Sequence, residues 1–596
     1  ISNAVIAETE ELLNDRSMSD FIYVFGQMVD HDLDLTINAS PAQPFNIPVP
    51  TGDPFFDPTG TGTQIIPMNR SKSDPATGTG IGNPRQQVNE VTAWLDGSAI
   101  YGSSEARALA LRTLEGGRLK TSAGNLLPFN TMGLENQNRS PLPAEQLFVA
   151  GDIRVNENIE LTAIQTVWMR EHNRIAGLIE SANPGLSDEM IYQRARRLVI
   201  AEFQHITYTE YLPALLGEGA LRPYTGYKPR LDPAIANEFS TVGFRVGHSL
   251  LGDDVEFLND DGEEIREELP LNEAFFNPGV VREMGVEPIL KYLATDKARE
   301  VDPIIVGSVR NFLFGPPGAG GFDLAALDIQ RARDHGLPDY NSMRAAYGLK
   351  RVTSFAQITS DRALQQKLRD LYGSVDNIDA FVGGLAEDHV KGASVGPLFR
   401  RIIAEQFERT RDADRFWYER ELSPGELREV RSVTLADIIR RNTTIANIQD
   451  NVFFFDVTVH GRVFLDLDRD GRQDRGEIGL PAFKVELLNA DGSVIATTRT
   501  RLDGSYSFVG LIDGPGEYRI RVVPPAGWRL TTPEETTIRV TRGEVYRGVD
   551  FGAIPRSRGT GGSSVRGDCS LADEVFRDLS RWLDDFDGFH FGRGRR

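Results

Sequence analysis

Four short stretches carry ionisable side chains at spacings that suit proton transfer and metal binding. Residues 21–36 read FIYVFGQMVDHDLDLT. In a helix, Gln27, Asp30 and His31 fall at i, i+3 and i+4, on one face of an otherwise apolar segment. Polar groups on an inward face cost free energy unless they are satisfied. The cluster therefore reads either as satisfied core hydrogen bonds or as a proton-transfer site, with His31 as acid and base near neutral pH. GDIRVNE at 151–157 sets Arg154 and Glu157 three apart, ahead of an amphipathic segment. FRVGHSLL at 244–251 sets Arg245 and His248 three apart on one helix face. One nitrogen of His248 can then ligate a metal while a partner orients the other. ALDIQRARDHGLPDYN at 326–341 supplies Asp328, Arg331 and Asp334. Each stretch is weak evidence alone, because Arg–carboxylate pairs are common in cores.

A fifth stretch, DLDRDGRQDRGE at 466–477, has Asp466, Asp468, Asp470 and Asp474 at positions 1, 3, 5 and 9, Gly471 at 6 and Glu477 at 12. That is the spacing of a twelve-residue calcium loop. Strand-like runs flank it (VFL before, FKVELL after), so a helix-flanked EF-hand is not expected, and a solvated acidic turn is the plain alternative.

The elements that must position these groups exceed one domain, since 596 residues are too many for a single core. The first three-quarters reads as mainly α, with apolar residues three and four apart over 159–181, 188–216 and 396–411. Long loops rich in Pro, Gly and Asn, such as 38–84 and 223–234, lie between the helical stretches and fit a buried centre that they wrap. From about residue 452 the pattern changes to short β-branched and aromatic runs at 462–465, 483–488, 505–509, 518–523 and 536–540, separated by Gly, Pro and Asp. The expected division is a helical body at 1–452, a small all-β sandwich at 453–555 and a linker with an amphipathic tail at 556–596. A net charge of −21 disfavours nucleic acid and anionic membranes as partners. No apolar run reaches the roughly 18 residues a membrane helix needs. The single cysteine, Cys569, excludes a disulfide framework and a cysteine-rich metal site.

Two histidines, an arginine beside one of them and a carboxylate near the other are what a haem peroxidase requires. The chain resembles the animal-type haem peroxidases, the peroxidase–cyclooxygenase superfamily, over roughly residues 1–449. The matching motifs occur in the family's order: ISN, GQMVDHDLD, WLDGSAIYGS, AGDIRVNE, REHNR, FRVGHSL, LDIQRARDHGLPDYN, VGPLF and DRFWYE. The lack of paired cysteines points to a bacterial branch. The acidic loop, with LDGSYSF and GEYRIRV, resembles the calcium-bearing B-type repeats of bacterial surface adhesins.

The resemblance implies a role for each residue. His31 looks like the distal histidine that moves the peroxide proton, Arg154 like the distal arginine that stabilises the departing oxygen, and Gln27 like the glutamine that contacts water or halide. His248 looks like the proximal iron ligand, Arg245 like a propionate partner, and Asp328 and Arg331 like further cofactor contacts. Asp30 and Glu157 match the carboxylates that form ester links to haem b. Asp32 with Thr92, Trp94, Asp96 and Ser98 matches a calcium site. Those last four alternate along VTAWLDGS, so an extended stretch would turn them to one side. The ion would tie the loop to the distal helix and hold His31 in place. His172 of REHNR reads as structural, and His205, His335, His389, His460 and His590 show no partner pattern.

Two departures bear on donor choice. Asn158 stands where one mammalian member has a methionine bonded to the haem, and Asp328 where an asparagine usually faces the proximal histidine. Both favour a less oxidising haem, hence iodide, thiocyanate and bromide over chloride. The implied activity is hydrogen-peroxide-dependent oxidation of halides, thiocyanate or aromatic donors through a ferryl intermediate. A fatty-acid dioxygenase is disfavoured, because Arg245 occupies the place of its radical tyrosine. A surface or matrix protein with a vestigial peroxidase body is the other alternative, and an extracellular or cell-surface location through the β-domain is the expected one.

Overall fold

The computed structural model describes residues 1–556 apart from 9–10, 319, 456–457, 475, 509–515 and 541–544. The amphipathic stretch and basic end expected at 557–596 lie outside the described residues. The chain divides into two compact units, Ile1–Phe455 and Asp456–Arg596.

The first unit is helical. Helix α1 (Phe21–Leu33) buries Phe21, Ile22, Val24, Phe25, Met28 and Val29, and ends where Asp34 turns extended. Its neighbour α2 (Ile159–Ala182) starts at Asn158, whose side chain accepts a hydrogen bond from the Leu161 amide and so satisfies one free donor of the first turn. Ser187 caps α3 (Asp188–Ile206) in the same way. The helical pattern expected through 216 continues, but as a π-turn at Thr207–Tyr211 followed by Leu212–Leu216. Pro213 accounts for the change, since it lacks the amide donor of a regular turn and its ring crowds the preceding carbonyl. The segment Gly243–Ser249 is 3-10 helix rather than α-helix. At three residues per turn Arg245 and His248 are eclipsed, one above the other. Helix α4 (Leu324–Asp334), capped by Asp323, carries Asp328 and Arg331. Helix α5 (Pro397–Ala413) packs on the 3-10 segment and α1 packs on α2, which brings α1 and the 3-10 segment to the same core.

The stretch at 91–97 is not the extended segment expected. It runs through bends into a short helix, Ser98–Tyr101, because Asp32 collects the amides of Asp96, Gly97 and Ala99 and curls the chain around its carboxylate.

The second unit is a β-sandwich. Its strands are β1 (Thr458–Leu465), β2 (Lys484–Leu488), β3 (Val494–Arg499), β4 (Ser505–Phe508), β5 (Gly516–Val523), β6 (Trp528–Leu530), β7 (Glu535–Val540), β8 (Val545–Tyr546) and β9 (Phe551–Pro555). One sheet runs β6-β9-β1-β8 with β4 also on β1; the other runs β7-β5-β2-β3. Alternate residues such as Val463, Leu465, Val485, Leu487, Ile520 and Val522 bury a shared core. Four of these strands, β3, β6, β8 and β9, were not among the expected runs. VIATTR of β3 is partly to fully exposed along its length, so no buried alternation marks it. Among the described residues no helix is long and apolar enough to cross a membrane.

Candidate active site

A cavity of about 370 Å³ in the first unit is lined by Gln27, Asp30, His31, Arg154, Glu157, Arg245, His248 and Arg331. Side chains scattered over three hundred residues of sequence thus meet in one space of a size that suits a ligand.

His31 comes from α1 and Arg154 from the turn ahead of α2. His31 is buried, and neither ring nitrogen makes a hydrogen bond within the described residues. Its Nδ1 lies 3.5 Å from Asp152 Oδ1 and its Nε2 3.8 Å from Glu157 Oε2. Burial, and then the Arg154 charge, push the imidazole down to about 3, so it is neutral at pH 7 and able to take a proton. Arg154 is held rigidly. Its Nε and Nη2 donate to the two oxygens of Asp152, each at 2.9 Å, and Nη2 also donates to the carbonyls of Asp34 (2.8 Å) and His31 (3.4 Å). Burial opposes ionisation of Asp152, but the Arg154 charge wins and keeps this carboxyl below its usual range.

In the same cavity, His248 Nδ1 hydrogen-bonds Asp328 Oδ2 at 2.7 Å, leaving Nε2 as the free ligand atom. The second oxygen of Asp328 accepts from Arg245 Nη1. Burial works against the Asp328 charge, yet His248 and Arg245 together hold the carboxyl below its usual range. Asp328 is therefore a carboxylate, but one shared between His248 and a cation, which tempers the electron push expected on the imidazole. Arg245 is correspondingly not reserved for an external anion. Arg331 also faces the cavity, fixed by Ser71 Oγ, the Asn69 carbonyl and Asp334.

Burial raises all three carboxyls that line the cavity, Asp30, Asp34 and Glu157. Burial, and then the nearby Asp34 charge, push Asp30 up to about 8, with Arg154 opposing; burial likewise raises Glu157. Both carboxyls are thus biased toward the neutral form. Arg154 Nη1 is 4.0 Å from Asp30, too far for a firm pair.

Both expected calcium constellations converge. Ser98 Oγ donates to the Asp32 carbonyl at 3.0 Å, Thr92 Oγ1 to the Trp94 carbonyl at 3.3 Å, and Asp96 receives the Ser98 amide. Burial, and then Asp96, raise Asp32 well above the carboxylate range; a cation would relieve the repulsion between these two acids. In the second unit, oxygens of Asp466, Asp468 and Glu477 lie within 4.8 Å of one another, as do those of Asp468, Asp470 and Asp474. Asp466 is fully buried with Oδ1 lacking a hydrogen-bond partner.

The family model described as animal haem peroxidase matches residues 1–453. The chain belongs to that family. A second model, described as SdrD B-like domain, matches residues 458–542. Peroxinectin A of Dictyostelium discoideum is 38% identical over 465 residues, which cover 76% of this chain and 86% of that protein. Thyroid peroxidase of Mus musculus is 36% identical over 497 residues, 74% of this chain and 53% of that protein. The chain therefore spans most of the first relative and about half of the second. Among solved structures, peroxidase A from Dictyostelium discoideum superposes with a TM-score of 0.72 at 37% identity, covering 76% of this chain and 90% of that one. Fatty acid alpha-dioxygenase of Oryza sativa, at 21% identity and a TM-score of 0.63 over 76% of this chain and 79% of that one, shares the fold alone.

As an animal haem peroxidase the chain implies haem, and its residues fit one. A buried imidazole with no hydrogen bond lines the same cavity as a second imidazole whose outer nitrogen is free, and Arg245 and Arg331 line it too. His172 is structural as expected, bonded through Nδ1 to Tyr101 and through Nε2 to the Gly117 carbonyl. His335, expected in an ordinary core or surface role, is buried and bonds Ser71 and Asn237, and it also lines the cavity. Asp152, which clamps Arg154, and Tyr211, which lines the cavity, were not singled out in the sequence. Asp152 sits inside GDIRVNE, and its spacing of two from Arg154 is the signal that could have marked it. Tyr211 has a subtler mark, Gly26 in mid-helix: a Cβ there would lie 2.6 Å from the tyrosine hydroxyl.

Proposed function

We propose that this peroxidase uses hydrogen peroxide to oxidise iodide, thiocyanate, bromide and small aromatic donors at the cavity between His31 and His248. The observation that carries the reading is the meeting of a neutral, unbonded His31 and a clamped Arg154 with a His248 whose Nδ1 is held by Asp328. Haem held there would supply the iron at which the O–O bond breaks and the oxidising equivalents that donors consume. His248 would ligate it, with Arg331 and the part of the Arg245 guanidinium that Asp328 does not engage available to its carboxylates. His31 takes the proton from the near peroxide oxygen and returns it to the departing one. Arg154 offsets the negative charge that grows on that oxygen, at no cost in reorganisation because Asp152 has already fixed it. Arg245, in the place of a radical tyrosine, argues against the dioxygenase reading. Peroxide-dependent iodide oxidation by the haem-loaded protein is the direct test; a haem-loaded protein without it would overturn the assignment.

Asp30 and Glu157 are the proposed ester sites. After peroxide treatment, haem is expected to stay with the wild-type polypeptide through acid–acetone extraction, and Asp30→Ala is expected to leave one link. Quantitative extraction of haem from the wild type would rule the links out.

Donor range follows from Asn158, whose amide has no sulfur to bond a haem vinyl, and from the ionised Asp328. Iodide and thiocyanate are expected to be oxidised fast near neutral pH, bromide more slowly and chloride barely. Steady-state rates with each anion check this order, and chloride turnover matching bromide would contradict it.

Asp32, Thr92, Trp94, Asp96 and Ser98 are the proposed calcium ligands beside His31, and the 466–477 loop a separate calcium site. Elemental analysis should find calcium in the purified protein. Joint Asp466→Ala and Asp468→Ala substitution should lower that content with haem content unchanged; equal calcium in the variant would dismiss the loop site. The match of 458–542 to the SdrD B-like domain supports an extracellular or cell-surface location, with the β-sandwich as the attachment module.

A further inference from the structure

The position where one mammalian member of the family has a methionine has a use of its own in this chain. Asn158 is buried, and both ends of its amide are committed. Its Oδ1 accepts from the Leu161 amide at 2.7 Å, capping α2, and its Nδ2 donates to Gln27 Oε1 at 3.0 Å. The order of these bonds is not interchangeable. A backbone N–H can only donate, so the Asn158 atom facing it must be oxygen, and the atom facing Gln27 must be the NH₂ group. Gln27 must then turn its own oxygen toward Asn158. Its Nε2, which has no protein hydrogen bond among the described residues, is left for the cavity.

We propose that Asn158 is a positioning residue that sets the polarity of the Gln27 amide, so that the site presents N–H donors to a small anion instead of a carbonyl oxygen. The helix cap of α2 is thereby relayed through two amides to the donor pocket. An aspartate at 158 would keep the cap, since Asp caps as well as Asn. It would offer Gln27 an acceptor in place of a donor, and the Gln27 amide would rotate, turning its carbonyl to the anion. The proposal rests on Gln27 being the anion contact.

The experiment is a double-mutant cycle on the haem-reconstituted full chain, titrating thiocyanate and bromide by the change in visible absorbance. Wild type, Asn158→Asp, Gln27→Leu and the double variant are compared, with haem content measured for each. Asn158→Asp is expected to weaken anion binding about tenfold or more, the scale of a hydrogen bond to a charged group. In the Gln27→Leu background the same substitution should have little effect. An equal loss in both backgrounds would mean that the introduced carboxylate acts by its charge alone and would overturn the relay. Unchanged binding in Asn158→Asp beside weakened binding in Gln27→Leu would also overturn it, while sparing Gln27 as the contact. Unchanged binding in Gln27→Leu would overturn both. Asn158→Ser, which keeps a cap and removes the amide N–H that reaches Gln27 without adding charge, should fall between wild type and Asn158→Asp; wild-type affinity in this variant would count against the relay even if the aspartate variant failed to load haem.

Discussion

Replacing Arg154 with alanine is expected to slow the reaction of the haem-loaded protein with peroxide about 10²–10³-fold while leaving haem content close to that of the wild type. The guanidinium is held by Asp152 and by the carbonyls of Asp34 and His31, so its charge is in place before peroxide arrives. His31→Ala is expected to cost about 10²–10⁴-fold, because the neutral imidazole is the base. The two losses should not add, since both residues serve one bond-breaking step and share Asp152. Arg154→Lys should recover little of the rate. It keeps the charge but cannot hold both Asp152 oxygens in the forked geometry of an arginine. Stopped-flow absorbance against peroxide concentration measures these rates. An Arg154→Ala protein reacting at the wild-type rate would remove the residue from the mechanism.

Asp328 carries the second large effect. Asp328→Ala is expected to lower haem affinity or turnover about 10–100-fold, because His248 loses the partner that fixes its ring and Arg245 loses its counter-charge. Asp328→Asn should be milder in affinity and opposite in donor preference. The asparagine can still accept from His248 Nδ1, but without a negative charge it stabilises oxidised iron less, so bromide oxidation should quicken relative to iodide. Haem titration and the bromide-to-iodide rate ratio check the pair. Asp328→Asn with an unchanged ratio would show that Arg245 already neutralises the carboxylate fully.

Much of the site was legible because its residues sit in ungapped motifs. Gln27, Asp30 and His31 share a helix face at spacings of three and four, and α1 places them as that spacing requires. Arg245 and His248 are also three apart, yet the element is 3-10 helix, which local pattern does not separate from α-helix. The curl at 91–97 could not be read locally, because its cause is Asp32, more than sixty residues away. The same limit hid the sharing of Asp328 between His248 and Arg245 and the relay from Asn158 to Gln27, all long-range hydrogen bonds. In the sandwich, strands with apolar alternation were readable, whereas exposed β3 and two-residue β8 carry too little hydrophobic signal.

The central claim is that iron is held by His248 in the cavity it shares with His31, and anomalous scattering at the iron edge from crystals of the haem-reconstituted protein tests it most directly. The iron peak should lie at bonding distance from His248 Nε2, with Gln27, His31 and Arg154 on the opposite face of the ring. Iron bonded to His335, which lines the same cavity, or to His31, would contradict the assignment.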